Sequence, residues 1–212
     1  MGEEVVDAAR GRTGGLSLLG SARGPEVPQV LVPRADIRDY EPADEPSWLR
    51  CRVLGLLDSS RDDVWRSRHR SDLELVAADD NVVIGLLDVS VPDERAVVGT
   101  IAVHPDHRRR GLASALLEQA VGRLERCGVR TVEAWVQDDP ALAWFLRRGF
   151  AEVERHLRVH VSAAEAGTAV SARYGLRPVG AVLDVAVERE AEMRRRFERV
   201  HLRRRLVREL RP

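Results

Sequence analysis

The segment from Val97 to Leu124 constrains the fold more than any other part of the chain. Val97-Val98-Gly99-Thr100-Ile101-Ala102-Val103 carries the β-branched alternation of a strand, and His104-Pro105-Asp106 interrupts it. Leu112, Leu116, Val121 and Leu124 then recur at spacings of four, five and three, as one face of a helix does. Between strand and helix lies Arg108-Arg109-Arg110-Gly111-Leu112-Ala113. A tight turn feeding a helix start gathers successive backbone N–H groups with the orphan amides of the first helical turn, so the segment predicts an anion cradle suited to a diphosphate. Gly111 allows close backbone approach there, and Ala113 leaves room beside it.

The hexamer Arg108-x-x-Gly111-x-Ala113 resembles the acyl-CoA signature of the GNAT (Gcn5-related N-acetyltransferase) superfamily. A second segment, Asp138-Asp-Pro-Ala141-Leu-Ala-Trp144-Phe145-Leu-Arg-Arg-Gly149-Phe150, is similar to that family's Asn-x-x-Ala-x-x-Phe-Tyr-x-x-x-Gly-Phe motif. The resemblance implies an α/β (α+β) fold with a central mixed, mostly antiparallel sheet flanked by helices. It also implies acetyl-CoA as cosubstrate and acetyl transfer to an amine by direct attack in a ternary complex. By the same resemblance Ile101, Ala102 and Val103 present backbone groups along the pantetheine. Arg108, Arg109, Arg110, Gly111, Leu112 and Ala113 surround the diphosphate, and Asp138, Ala141 and Phe145 line the pantetheine side.

Composition narrows the alternatives. The 212 residues balance 34 basic against 34 acidic side chains, so no global charge draws the chain to nucleic acid or a membrane surface. All the basic side chains are arginine and none is lysine, which leaves no side-chain amine for Schiff-base chemistry. Two cysteines, Cys51 and Cys127, both in helical patterns, argue against a disulfide scaffold, and a reducing cytoplasm is the expected compartment. Leu16–Leu19 is too short for a signal core and no stretch is long enough to span a bilayer, so no membrane association is expected. Six scattered histidines give no metal site, since His156 and His160 fall on a strand pattern.

The chain reads as three parts: a flexible lead over 1–29, an acyl-CoA-binding domain over 30–161, and a C-terminal extension over 162–212. The domain's strands are expected at Ile37–Tyr40, Leu73–Ala78, Val82–Val89, Val97–Val103, Val129–Val136 and Val153–Val161. Helices are expected at Trp48–Leu57, with Trp48, Leu49, Val53, Leu56 and Leu57 inward, then from Leu112, and from Pro140. Arg61–Ser71, with Trp65, reads as a polar connection or short helix. In the extension, Gly175–Val187 echoes Gly149–Val161, as a short repeat or a closing strand, and Glu188–Leu210 reads as one long arginine-rich helix with an apolar stripe of Met193, Phe197, Val200 and Leu210. That helix is expected to dock on its own domain or on a second copy, a homodimer, rather than on nucleic acid.

Proton transfer is the weak point of the pattern. Where many GNAT members carry a Glu, this strand reads Val97-Val98-Gly99-Thr100, and where they carry the leaving-group Tyr, this chain has Phe145. Three nearby groups could act as base: Glu94, Asp88 and His104. The residues themselves favour a solvated turn for Glu94 and a turn role for His104. Two functional readings follow. The first is an N-acetyltransferase acting on a small-molecule or peptide amine; the second is an acyl-CoA-binding sensor or pseudoenzyme whose tail engages a protein.

Overall fold

A computed structural model describes residues 35–57, 71–171, 174–176 and 178–210. The expected lead over 1–29, the domain start at residue 30 and nearly all of the 61–71 connection lie outside the described residues. The elements follow the chain as β1 (Asp36–Asp39), α1 (Glu45–Leu56), β2 (Leu73–Asp79), β3 (Val82–Ser90), β4 (Arg95–Val103), α2 (Leu112–Arg126), β5 (Thr131–Val136), α3 (Asp139–Leu146), β6 (Ala151–Val161), α4 (Ala163–Ala169), β7 (Ala181–Val185), α5 (Glu190–Arg196) and β8 (Arg199–Glu209). The strands form one sheet in the order β1-β2-β3-β4-β5-β8-β6-β7. Among the described residues only β4 and β5 run parallel; their pairing covers Arg95–Val98 against Thr131–Ala134 and then stops.

Local chemistry accounts for these elements. Asp80 and Asn81 both take positive φ in the β2–β3 hairpin, the turn that matches strand twist. Gly128 ends α2 at φ 79°, as a left-handed terminator does. α2 buries Leu116, Leu117, Ala120, Val121 and Leu124 against Leu75, Leu87, Val89, Val132 and Ala134. On the opposite face of the sheet α1 packs Trp48, Cys51 and Leu56 over Val76, Val83, Leu86 and Ala102. The inner face of α1 differs from the expected one. Leu49 and Leu57 are exposed, and Cys51 and Arg52 are buried in their place, because Arg52 reaches a polar partner on the sheet.

Gly99 is a bulge. Asp88 pairs with Thr100 and Val89 with Val98, so Gly99 is the unpaired extra residue on β4. The bulge resets the alternation: Ala96 and Val98 face α2, whereas Thr100 and Ala102 face α1. It sits where β4 and β5 part.

The C-terminal region overturns the expected long helix over 188–210. α5 is seven residues long, and Arg199–Glu209 is a strand between β5 and β6. Val200 and Leu206 are buried at even positions, a period of two that sheet pairing favours over the period of 3.6. Two arginines of this strand are held by carboxylates of neighbouring elements: Arg205 by Glu133 on β5 and Glu154 on β6, and Arg204 by Asp139 on α3 and Glu152 on β6. The sheet therefore does not end at Val161. β7 is the expected extra strand and forms the sheet's edge on β6.

Candidate active site

A cleft of about 570 Å³ opens where β4 leaves β5, walled by the end of β4, the start of α2 and one side of α3. Ten of the twelve residues expected to hold an acyl-CoA line it, all but Arg110 and Asp138. Arg110 is exposed. Asp138 is the N-cap of α3, its carboxylate accepting the Ala141 N–H at 2.7 Å. Phe145 is buried, packed edge-on against Phe150 and Trp144.

The cradle owes its shape to an alternation of backbone hand. Arg109 lies at φ 64° and Gly111 at φ 81°, with Arg110 between them. A left-handed conformation is strained for arginine and routine for glycine. The first α-helical hydrogen bond runs from Ala115 N–H to Gly111 O, so the amides of Leu112, Ala113 and Ser114 precede the helix ladder. Turn and helix together present N–H groups and the positive end of a fifteen-residue helix to one place.

Side chains brace this geometry rather than extend it. Arg108 donates to Gly55 O at 2.9 Å and to Val103 O at 3.4 Å, tying α1 to the end of β4. Gly55 lets them meet: a Cβ there would lie 3.0 Å from Ala102 Cβ and 3.2 Å from Val103 O. In the turn after α3, Arg148 stacks on Trp144 with its Cζ 3.9 Å from the ring centre, donates to Trp144 O at 2.9 Å, and hydrogen-bonds Ser114 Oγ. Burial pulls the Arg148 guanidinium below its ordinary value, and neighbouring Arg147 adds to this. Gly55, Ser114, Arg148 and the Gly99 bulge escaped the sequence reading. A glycine inside a helix, a glycine inside a strand, and a cation four residues after a tryptophan were the available signals.

The three base candidates separate in space. Glu94 sits in the turn at the far end of β4, about 30 Å of extended chain from Val103 at about 3.3 Å per residue, and pairs with Arg130 at 2.9 Å. His104 accepts the Asp106 N–H on Nδ1 at 3.3 Å, capping the turn after β4. Asp88 lies on β3, 8% exposed, across from Thr100 and Glu74. Arg52 reaches over it from α1, Nη1 standing 2.8 Å from Thr100 Oγ1 and 3.9 Å from Asp88 Oδ2. This buried polar group adjoins the bulge on the α1 face.

Cys51 is no nucleophile, since burial pushes its thiol up to about 12. Among the described residues no helix is long and apolar enough to cross a membrane.

Residues 37–150, just over half of the chain, match the family model described as the acetyltransferase (GNAT) family. The chain belongs to the GNAT family. Two curated relatives are similar over 93 residues: acetyltransferase SG1711 of Sodalis glossinidius at 31% identity and acetyltransferase ECA0875 of Pectobacterium atrosepticum at 30%. Each match covers 43% of this chain and 66% of the relative, just under two thirds. Among solved structures, the ribosomal-protein-S18-alanine N-acetyltransferase of Escherichia coli shares the fold with a TM-score of 0.56 at 18% identity, over 82% of this chain and 93% of that one. Ard1 of Thermoplasma volcanium does so with a TM-score of 0.51 at 14% identity, over 84% and 99%. In this GNAT chain the pairing of β4 with β5 stops at Val98, and the cleft lies beyond that point.

Proposed function

We propose that the chain binds acetyl-CoA in the cleft and transfers the acetyl group to an amine by direct attack within a ternary complex. The observation that carries this reading is the meeting of the left-handed Arg109–Gly111 turn, the first turn of α2 and the splayed end of β4 in one cleft. The amides of Arg109–Ala113 suit the diphosphate. The β4 backbone past the bulge suits the pantetheine, added like a further strand, and an N–H there polarises the thioester carbonyl.

The amine reaches the thioester from the α1 side of β4. Of the three base candidates, Asp88 alone pairs with β4 beside the bulge, through Thr100, and it takes the ammonium proton directly or through water. Phe145 replaces the family's acid, so the departing thiolate takes its proton from solvent. The acceptor is a small-molecule or peptide amine. An acceptor screen spans both kinds, since the E. coli neighbour's name specifies a protein alanine and that of a Neisseria gonorrhoeae neighbour N-acetylglutamate.

The test is calorimetry with acetyl-CoA on the wild type and on Gly111→Asp, followed by thiol release across amine acceptors. Micromolar binding abolished by the carboxylate supports the cradle; absence of wild-type binding overturns the proposal. The missing Tyr favours a second reading, an acyl-CoA-binding module without turnover, which predicts binding with no thiol release for any amine. Its protein-binding tail has lost its basis, because 199–209 is a strand within the sheet.

A further inference from the structure

Arginines in this chain are generally matched by carboxylates: Arg38 by Asp44, Arg123 by Asp39, Arg158 by Asp184, Arg205 by Glu133 and Arg208 by Glu118. Arg148 departs from that habit. Its guanidinium lies in the cleft, and its partners are the Trp144 ring, Trp144 O and Ser114 Oγ, all uncharged. A guanidinium has five N–H donors and two are engaged here, leaving three in a plane fixed by the stack. Ser114 is the third residue of α2, so the cation stands beside the amides of the first helical turn.

A partly desolvated cation whose contacts are all neutral is a costly arrangement unless an anion completes it. The cleft's own elements supply none: α3 places Pro140, Ala141, Trp144 and Phe145 there, and β4 places Ile101, Ala102 and Val103. Glu118, whose field acts on Arg148, is itself held by Arg208 at 3.0 Å.

We propose that Arg148 is a preassembled cationic contact for the diphosphate of coenzyme A, adding a side-chain charge to the backbone cradle. This rests on the acyl-CoA reading of the cleft and goes beyond it, naming a residue outside both sequence motifs' fixed positions. Trp144 and Ser114 hold the guanidinium in place, so little side-chain freedom is lost on binding.

The test measures Kd by calorimetry for CoA and for dephospho-CoA, which keeps the diphosphate and lacks the 3′-phosphate. Wild type, Arg148→Met and Arg148→Lys are compared, with melting temperatures recorded for each. Arg148→Met is expected to weaken both ligands by about 10- to 100-fold, the range of a charge-assisted hydrogen bond. Arg148→Lys should recover part of that affinity, and the slope of log Kd on log salt should fall in Arg148→Met relative to wild type. A merely structural role predicts equal losses for Met and Lys, tracking the melting temperature and leaving the salt slope unchanged; that result overturns the inference. A loss for CoA absent with dephospho-CoA assigns Arg148 to the 3′-phosphate and also overturns it. Failure of the wild type to bind either ligand overturns the acyl-CoA reading, and the inference with it; wild-type binding unaffected by Arg148→Met overturns the inference alone.

Discussion

The two ends of the sheet are held together by different means. From β1 to β5 the sheet is sandwiched, with α2 and α3 over one apolar face and α1 over the other. From β8 to β7 one face is apolar, with Leu157, Val159 and Val161 under α4 and α5. The other face is polar. There Arg203 stacks on Trp135 at 4.2 Å, Trp135 meets His156 at 5.2 Å, Arg205 links Glu133 to Glu154, and Asp184 takes both His156 and Arg158. β8 is the seam, since Val200 belongs to the second core while Leu206 and Leu210 belong to the first. A strand shared by two cores makes the C-terminal region a structural part of the sheet.

The most drastic way to break this comparison is truncation before Arg199. Removal of β8 leaves β5 and β6 without the strand that both pair with. Loss of any cooperative melting transition is expected; a folded product retaining CoA affinity would restore the reading of the C-terminal residues as an extension. Next in size, Leu206→Ala removes a fully buried side chain beneath α2 and should cost about 2–5 kcal/mol. Denaturant unfolding should stay a single transition for that variant. Two transitions would mean that the ends of the sheet unfold independently.

The same contrast explains what could be read from the sequence. The β1–β5 region obeys simple periodicities because apolar layers cover it: Val132, Ala134 and Val136 all join the first core, and α2 buries Leu116, Val121 and Leu124 of its predicted face. The Arg108–Ala113 turn was legible because glycine marks backbone shape, and Gly111 takes the left-handed conformation there. β8 was not legible. In Arg203-Arg204-Arg205 the pattern is electrostatic, Arg204 and Arg205 meeting carboxylates on neighbouring strands, and no local pattern records a partner fifty or more residues away. The same limit hid the reach of Arg52 to Thr100 and Asp88, a group assembled from three elements. Arg148 was missed for a related reason, its neighbour Ser114 lying 34 residues earlier.

Acid denaturation sharpens the comparison by a smaller amount, beginning with the sandwiched end. The Arg38 guanidinium, bound to both oxygens of Asp44 at 2.7 and 2.8 Å, holds that carboxyl below the ordinary carboxylate range, and the Glu41 N–H assists. A carboxyl depressed in the folded state binds protons more readily when unfolded, so its contribution is complete above the unfolded value near pH 4 and is lost as pH falls through the folded value. Asp44→Asn should cost about 1–3 kcal/mol at pH 7, because it leaves a partly buried guanidinium without its charge partner and disturbs the capping box before α1. Stability measured from pH 7 to pH 2 should show a shallower acid loss for this variant than for wild type. Equal slopes would remove Asp44 from the account.

At the polar end the corresponding group is Asp184, depressed chiefly by its hydrogen bonds from Arg158 and further by His156 and Arg203. The sign is the same as for Asp44: its contribution is complete above about pH 4 and lost on acidification. Its size is different. The Asp184 side chain is 47% exposed, so solvent and salt screen the pair, and Asp184→Asn should cost under about 1 kcal/mol at pH 7. Raising ionic strength from about 0.01 to about 1 M, which shortens the screening length from about 30 to about 3 Å, should shrink the Asp184→Asn effect more than the Asp44→Asn effect. Equal salt sensitivity would mean that the polar face is as shielded from solvent as the sandwiched end, and the contrast between the two ends of the sheet would then rest on apolar packing alone.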